Sequence, residues 1–401
     1  MKVLIVCQFY YPENFVISKI AEKIVEYGHD VTVLTGKPNY GYGYILPAYK
    51  NVSSEIINGV KVERVDIKPR RQSRLSIINN YLSFWKNSKK WVRRTEEKYD
   101  VVYSMSLSPV TILSAGTLYK KKHGTPHVVH CVDLWPESVL VTHAVRKRSL
   151  TYRLLYQWSK KLYLKADEIL IGSSSFKEYF DSVLRIKDIE MKFIPQPSLV
   201  EYSALAPFEY DKEYFNILYC GNLGIIQDIP YIIEAMKELK GSNIRFNVIG
   251  MGPYSNYLVN KIKEYKLEDN LIYYGPMPAS QASAYFKGAD ALYVPLRDEG
   301  YVGKTIPNKL VMSMAFAKPI LAMLEGDGKE MLVEADGAVF SKQSAESLVE
   351  SIEAISKMNK KDLDRLGMNN YSYYQSHLTL DKISREIEQE LLKKAKREIG
   401  D

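Results

Sequence analysis

The chain has 401 residues, 46% of them hydrophobic and 25% charged, and carries a formal net charge of +8. That length exceeds one ordinary core and predicts two domains, and the composition is that of a globular protein rather than a disordered or fibrous one. No apolar run reaches the ~18 residues that a membrane helix needs.

In chain order, MKVLIVCQFYYPEN opens with an apolar run too short for a secretory signal, since polar Gln8 follows at once. It reads as a strand buried on both faces, and the chain is expected to be cytosolic. A helix is predicted from Asn14 to Tyr27, with Ile17, Ile20, Ala21, Ile24 and Val25 on one face and Gly28 as its stop. HDVTVLTG is a second strand. The glycine-tyrosine loop from Asn39 to Tyr44 follows it, suited either to stacking on sugar faces or to an inert turn. DVVYSMS, HVVHCVDLW and EILIGSS read as further strands, separated by a helix near TILSAGTLYKKK and a long helix reaching Lys165. The alternation predicts a parallel sheet covered by helices.

MKFIPQPSLVEYSALAPFEYDKEY breaks the rhythm with three prolines, which places an interdomain linker at about 195–213. The pattern then restarts with strands at FNILYCGN, FNVIGMG, LIYYG and ALYVPL, and helices at YIIEAMKEL, YLVNKIKEYK and QASAYFKGA. After Asn369 a tyrosine-rich turn and a long charged helix are expected. The fold class is therefore α/β, with two doubly wound Rossmann-like domains, 1–197 and 213–375, facing a cleft. A C-terminal helix, 376–401, is expected to return to the first domain.

Charge is unevenly spread. Residues 1–195 hold 31 Lys or Arg against 18 Asp or Glu, and the remainder 24 against 29. A basic first half suggests an anionic partner. Its densest part runs from Arg70, Arg71 and Arg74 to Arg93 and Arg94, with Tyr81, Phe84, Trp85 and Trp91 interleaved. Cations with tryptophan suit a membrane surface or a solvated helix face; no nucleic-acid-binding motif accompanies them, so no nucleic acid is expected. The three cysteines, Cys7, Cys131 and Cys220, lie in strand-like runs without CxxC spacing, which argues against disulfides and zinc.

Three glycine turns follow successive strands of the second half: Gly221-Asn222-Leu223-Gly224, Gly250-Met251-Gly252 and Tyr274-Gly275-Pro276-Met277. Glycine lets a backbone approach a bound group closely, and three such turns line one rim. KTIPNKLVMSMAFAKPIL closes that rim. Thr305, Asn308 and Lys309 lie at or just before a predicted helix start, where N–H groups and an ammonium converge on an anion such as a diphosphate. In the first half Asp133 ends an apolar run beside Trp135-Pro136, so it either binds something or caps the next helix.

Taken together, YYPEN, TGKPNY, DLWPES, CGNLG, VIGMGP, YYGPMP and IPNKL with AFAKPIL resemble, in this order and over nearly the whole chain, the GT4 family of retaining glycosyltransferases with the GT-B fold. Within it the chain is similar to the bacterial branch that builds capsule and O-antigen repeats, including N-acetyl-L-fucosaminyltransferases. The resemblance implies a UDP-sugar donor on the second domain, an acceptor on the first, metal-independent catalysis without a cofactor, and retention of anomeric configuration. It implies donor contacts from Gly221, Asn222, Leu223, Gly224, Gln227, Gly250, Gly252, Tyr274, Met277, Lys304, Thr305, Ile306, Pro307, Asn308 and Met312, and acceptor contacts from Tyr11, Glu13, Asn14, Asn39 and Tyr40; Glu299, upstream in the loop and off the family's spacing, is the candidate substitute for the family's ribose-binding glutamate. Lys309 and Asp133 are the catalytic candidates. The chain departs from the family where Asn222 replaces an arginine, Gln227 a lysine and Met312 a glutamate, and where Val132 stands at the place of a histidine. Lys309, aided by Lys304, is then expected to carry the diphosphate, and Asp133 to face the donor sugar. The expected acceptor is an undecaprenyl-diphosphate-linked glycan at the inner membrane face. The alternatives are a non-catalytic GT-B partner of another transferase, which the missing Arg, Lys and Glu motivate, and a UDP-sugar 2-epimerase.

Overall fold

A computed structural model describes residues 1–71, 73–141, 145–199 and 205–397. The chain divides into two compact units, Met1–Gln196 with Leu380–Asp401, and Pro197–Thr379.

The first unit is built on eight strands: β1 (Lys2–Val6), β2 (Asp30–Gly36), β3 (Ser54–Ile57), β4 (Val60–Val65), β5 (Val101–Ser106), β6 (His127–Cys131), β7 (Glu168–Ile171) and β8 (Met191–Phe193). Their order is β3-β4-β2-β1-β5-β6-β7-β8. Val3 pairs with Val31 on one side and Val101 on the other, and Val3, Leu4, Ile5 and Val6 are fully buried. A strand covered on both faces has no polar side to show, so its sequence is a continuous apolar run. Every pairing is parallel except the β3–β4 hairpin. Asn58 and Gly59 turn that hairpin with φ of 49° and 81°, the two positive angles that a two-residue turn of matching twist requires.

The first helix, Ile17–Glu26, buries Ile17, Ile20, Ala21 and Ile24. It starts three residues later than the sequence pattern predicts, because Glu13 N–H and Phe15 N–H are taken up by a turn on Tyr10 O and Glu13 O. The expected long helix before Lys165 is two pieces, Glu137–Val141 and Leu150–Tyr163, the latter capped by the Ser149 hydroxyl, which accepts from Tyr152 N–H at 3.1 Å. Helix Leu380–Arg397 belongs to this unit. It buries Ile383, Ile387, Leu391 and Ala395 at four-residue spacing, and Tyr27 Oη donates to Asp381 Oδ1 (3.0 Å). His29 Nε2 lies 2.7 Å from Glu388 Oε1, and Lys192 pairs with Glu390 at 2.7 Å.

The second unit has six strands: β9 (Phe215–Cys220), β10 (Ile244–Ile249), β11 (Leu271–Gly275), β12 (Ala291–Pro295), β13 (Ile320–Met323) and β14 (Ala338–Phe340). All pair in parallel in the order β11-β10-β9-β12-β13-β14. Ile217 and Tyr219 point into one core with Ile232, Met236, Phe246 and Ile352, while Leu218 packs on the other face with Ile249, Phe286 and Leu292. Strand order reverses between β9 and β12, which makes their carboxyl ends the place where a doubly wound sheet leaves a crevice for a ligand. The stretch expected as a tyrosine-rich turn after Asn369 is instead helical, within Lys360–His377, a helix started by Asn359, whose Oδ1 accepts from Asp362 N–H at 2.9 Å. Among the described residues no helix is long and apolar enough to cross a membrane.

Candidate functional site

At the carboxyl ends of β9, β10 and β11 the three glycine turns touch one another. Gly221 N–H donates to Ile249 O, Gly250 N–H to Gly275 O and Leu223 N–H to Met251 O, each at 3.0 Å. A Cβ on Gly250, where φ is +138°, would lie 1.8 Å from Gly221 O, and one on Gly252 would lie 2.4 Å from Leu223 O. The contact is backbone on backbone, so glycine is a packing requirement here. Asn222 is exposed on this rim and Leu223 is buried beneath it. Gln227 is also buried, and its Oε1 accepts from Gly224 N–H at 3.1 Å, so that side-chain oxygen holds the turn closed.

Lys309 joins the rim from the far side of the switch point. Its Nζ donates to Tyr219 Oη at 2.9 Å and sits 4.7 Å from the centre of that ring. A Cβ on Gly221 would be 3.3 Å from the same nitrogen, so the ammonium lies against the first glycine turn. Tyr219 Oη in turn donates to Asn222 O. Among the described residues no carboxylate pairs with Lys309, and burial pushes its amine down from 10.5 to about 8. Desolvation disfavours the charged form, and the ordinary remedy, an adjacent anion, is not supplied by a side chain.

The helix that Lys309 introduces, Asn308–Met314, is only seven residues long, with Pro307 at its cap position. Two turns align few peptide dipoles, so the helix mouth contributes less than the sequence pattern suggests and the ammonium contributes more. Around it, Thr305 Oγ1 donates to Val302 O at 2.9 Å, Lys304 and Asn308 are exposed, and Ile306 packs against the apolar cluster that holds Leu310 and Met314. Glu299 is half-buried, and its backbone oxygen accepts from Gly303 N–H (3.1 Å). Met312, Tyr274 and Met277 all pack on the cluster of Leu218, Ile249 and Leu292, and Tyr274 Oη donates to Asn247 Oδ1 at 3.1 Å. Met312 is thus part of an apolar floor beside Cys220, and its thioether is no ribose-binding carboxylate.

Two participants escaped the sequence reading. Tyr219 is one. The other is Arg297, the first residue but one after β12, whose Nε donates to Asp228 Oδ1 at 2.7 Å while its backbone N–H donates to Ile226 O at 2.9 Å. A cation directly beyond a buried strand was the available signal. Its charge is matched by Asp228, which is 1% exposed, whereas that of Lys309 is not.

In the first unit, Glu13 is buried and its Oε1 accepts from the N–H groups of Asn39 (2.6 Å) and Tyr40 (2.5 Å). Burial raises its carboxyl, and these N–H donors oppose the rise. Asn39 is fully buried: its Oδ1 accepts from Arg70 N–H (2.7 Å) and Asn80 Nδ2 (3.1 Å), and Gln8 Nε2 extends the chain by donating to Asn80 Oδ1 at 2.6 Å. Glu13 and Asn39 therefore build the loop, and what the loop offers to solvent is Tyr11, Asn14 and Tyr40. Asp133 lies just beyond β6 and is half-buried; desolvation pushes its carboxyl up to about 6, against hydrogen bonds from the Ser138 side chain and the Leu134 backbone. The tryptophans of the basic segment are not held out to solvent. Trp85 packs edge-on against Trp158 with centroids 5.8 Å apart, and Trp91 Nε1 donates to Glu63 Oε2 at 3.3 Å.

Two α/β units, one with a wholly parallel sheet and one parallel but for its β3–β4 hairpin, define a chain of the GT-B class. HepE from Anabaena, solved in complex with UDP, superposes with a TM-score of 0.70 over 98% of this chain and 100% of its own at 14% identity. The chain belongs to the GT4 family of glycosyltransferases: residues 14–196 match the family model "Glycosyl transferase 4-like domain" and residues 205–373 match "Glycosyl transferases group 1". It is 28% identical over 239 residues to a probable glycosyltransferase, WbjE, of Pseudomonas aeruginosa, covering 56% of this chain and 58% of that one. It is 31% identical over 138 residues to a putative colanic acid biosynthesis glycosyltransferase, WcaL, of Escherichia coli strain K12, covering 33% of each. The matched region therefore spans a little over half the length of the first relative and a third of the second.

Proposed function

We propose that the protein is a retaining glycosyltransferase that moves a sugar, an N-acetylhexosamine or deoxy-aminosugar, from UDP to a lipid-linked glycan in capsule or O-antigen biosynthesis. The observation that carries this reading is the Lys309 ammonium, partly desolvated, against the Gly221 turn and, among the described residues, without a carboxylate. A diphosphate is the counter-ion it lacks. As the bond from the sugar to the diphosphate breaks, negative charge grows on the leaving group. A fixed cation beside rim N–H groups stabilises that charge without reorganising. In this reading the donor lies along Gly221–Gly224, Gly250–Gly252 and Lys304–Met312, with Lys309 taking up charge that a metal carries in other enzymes. Asp133 faces the donor sugar, Tyr11, Asn14 and Tyr40 serve the acceptor, and the acceptor is an undecaprenyl diphosphate glycan at a membrane surface. The UDP in the HepE complex and the colanic acid pathway in the WcaL name support the donor and pathway class.

Transfer assayed against a panel of UDP-sugars tests the proposal, with Lys309→Ala as control; unchanged turnover in that variant overturns the role of Lys309. Asn222, Gln227 and Met312 favour a second reading, a scaffold without catalysis, because none supplies the charge of the family pattern. Calorimetry separates the two readings: absence of binding at millimolar UDP selects the scaffold.

A further inference from the structure

The Lys309 ammonium stands where it does because of a group that no ligand touches. A lysine has a flexible four-carbon stem and a strongly hydrated head, so near a surface it keeps that head in water unless something holds it. Lys309 is half-buried, and among the described residues no carboxylate draws it in. What its Nζ meets is the phenol of Tyr219, with the oxygen at 2.9 Å and the ring centre at 4.7 Å.

That phenol is fully buried and has little freedom. Its ring lies 6.3 Å from the ring of Tyr293, which stands edge-on to Phe246 at 5.3 Å, so packing on the core face of β9 sets its position. A phenol carries one hydrogen and can also accept. Tyr219 Oη gives that hydrogen to Asn222 O at 2.5 Å, so towards Lys309 it can only accept, and an ammonium can only donate. A one-way chain therefore runs from Lys309 Nζ through Tyr219 Oη to the backbone of the first glycine turn. A Cβ on Gly221 would lie 3.3 Å from both the ammonium and the phenol oxygen, so one turn residue backs both groups. An ammonium has three donors. The phenol takes one, and among the described residues the other two have no protein acceptor.

The chemistry of the holder matters. A carboxylate in place of the phenol would fix the ammonium and cancel its charge, and an incoming anion would have to displace it. Burial pushes the Tyr219 hydroxyl far above its ordinary value, so it stays neutral and holds the cation without neutralising it. Cys220 follows on the strand; burial pushes its thiol up to about 11 against the pull of Lys309, so it too supplies no charge at neutral pH.

We infer that Tyr219 is the positioning residue of the donor site: its hydroxyl pins the Lys309 ammonium, uncompensated, against the Gly221 turn and ties that turn to the same point, ready for a diphosphate. The inference rests on the proposed function in that it takes the diphosphate to be the anion Lys309 receives.

The test is Tyr219→Phe, which keeps the ring and removes only the oxygen. UDP, titrated calorimetrically, is expected to bind ~3–10-fold more weakly, as for the loss of one hydrogen bond. Uridine, which has no phosphate, is expected to bind within about twofold of wild type in an NMR titration, and that titration also reports that the variant is folded. A residue that only packs would move both ligands alike. In a Lys309→Met background, adding Tyr219→Phe is expected to change UDP affinity by less than about twofold, because the phenol acts through the lysine. Wild-type UDP affinity in Tyr219→Phe, equal losses for UDP and uridine, or a full additional loss in the double variant overturns the inference. Lys309→Met alone separates it from the reading it rests on. If UDP weakens in Lys309→Met but not in Tyr219→Phe, only the role of Tyr219 falls; if UDP binds Lys309→Met as it binds the wild type, the assignment of the diphosphate to Lys309 falls and takes this role with it.

Discussion

Replacing Lys309 by methionine is expected to move stability and binding in opposite directions. Burial lowers the amine from 10.5 to about 8, so at neutral pH the folded protein holds the charged form at a cost. At ~1.36 kcal/mol per pH unit that displacement has a ceiling of about 3 kcal/mol, and partial exposure reduces it to roughly 1–3 kcal/mol. Methionine keeps most of the side-chain volume and removes the charge, so the second unit should gain about 3–8 °C in melting temperature. The gain is greatest below about pH 8. It shrinks between pH 8 and 10.5, where the folded wild type sheds the proton that the unfolded chain still binds, and it vanishes above that range. The same variant removes a charged hydrogen-bond donor from the diphosphate, a loss of about 1.5–3 kcal/mol, so UDP should bind ~10–150-fold more weakly. Wild-type UDP affinity should itself decline above pH 8, and that decline should be missing from the variant. Calorimetric titration with UDP and thermal scans at pH 7 and pH 10.5 supply every quantity. A variant that is less stable at pH 7 and binds UDP as the wild type does would refute the idea of a cation held in wait for an anion.

Three more outcomes are expected. Gly250→Ala sets a Cβ against Gly221 O, so it should cost the second unit roughly 3 kcal/mol or more and abolish UDP binding, while the transition of the first unit is unchanged in a thermal scan. Asp133→Asn should stabilise the first unit at pH 7 and have no effect below about pH 4, because a carboxyl raised to about 6 favours the folded state only while protonated; transfer should fall ~10–100-fold in an initial-rate assay. Removing residues 380–401 exposes the seat of Ile383, Ile387, Leu391 and Ala395, so the first unit should lose its cooperative transition in circular dichroism while calorimetry still detects UDP binding by the second.

Much of the architecture was legible because buried parallel strands write themselves as unbroken apolar runs. KVLIV and FNILYC could hardly be anything else, and the glycine turns at Gly221, Gly250 and Gly275 marked one end of the second sheet. The short strands β3, β4, β8 and β14 were not legible. In VKVERV, on β4, polar residues alternate with apolar ones, and the Asn58-Gly59 turn before it is a two-residue signal in a polar stretch. Lys309 stood out by its place before an apolar helix. Its partner Tyr219 lies 90 residues earlier inside a strand, and only the sheet order brings the two together. The Asp228–Arg297 pair was hidden for the same reason. Glu13 and Asn39 looked like ligand groups because they are polar and sit at strand ends. Their hydrogen bonds to backbone and to Asn80 close a loop, and no local rule separates those two uses of one side chain. Trp85 and Trp91 drew attention in the basic segment, yet the aliphatic side chains beside them proved the more exposed.

The polypeptide leaves the first unit at Gln196 and comes back to it at Leu380. One lobe is therefore an insertion within the other, and the order of manufacture follows from that. On a ribosome the inserted lobe has all of its sequence available before the surrounding one does. The earlier-synthesised sheet must wait, with the groove for helix Leu380–Arg397 open, until that helix has been made. Selection should then favour an amino-terminal half that stays dispersed while incomplete, and the surplus of positive charge in that half, whatever else it serves, keeps nascent copies apart.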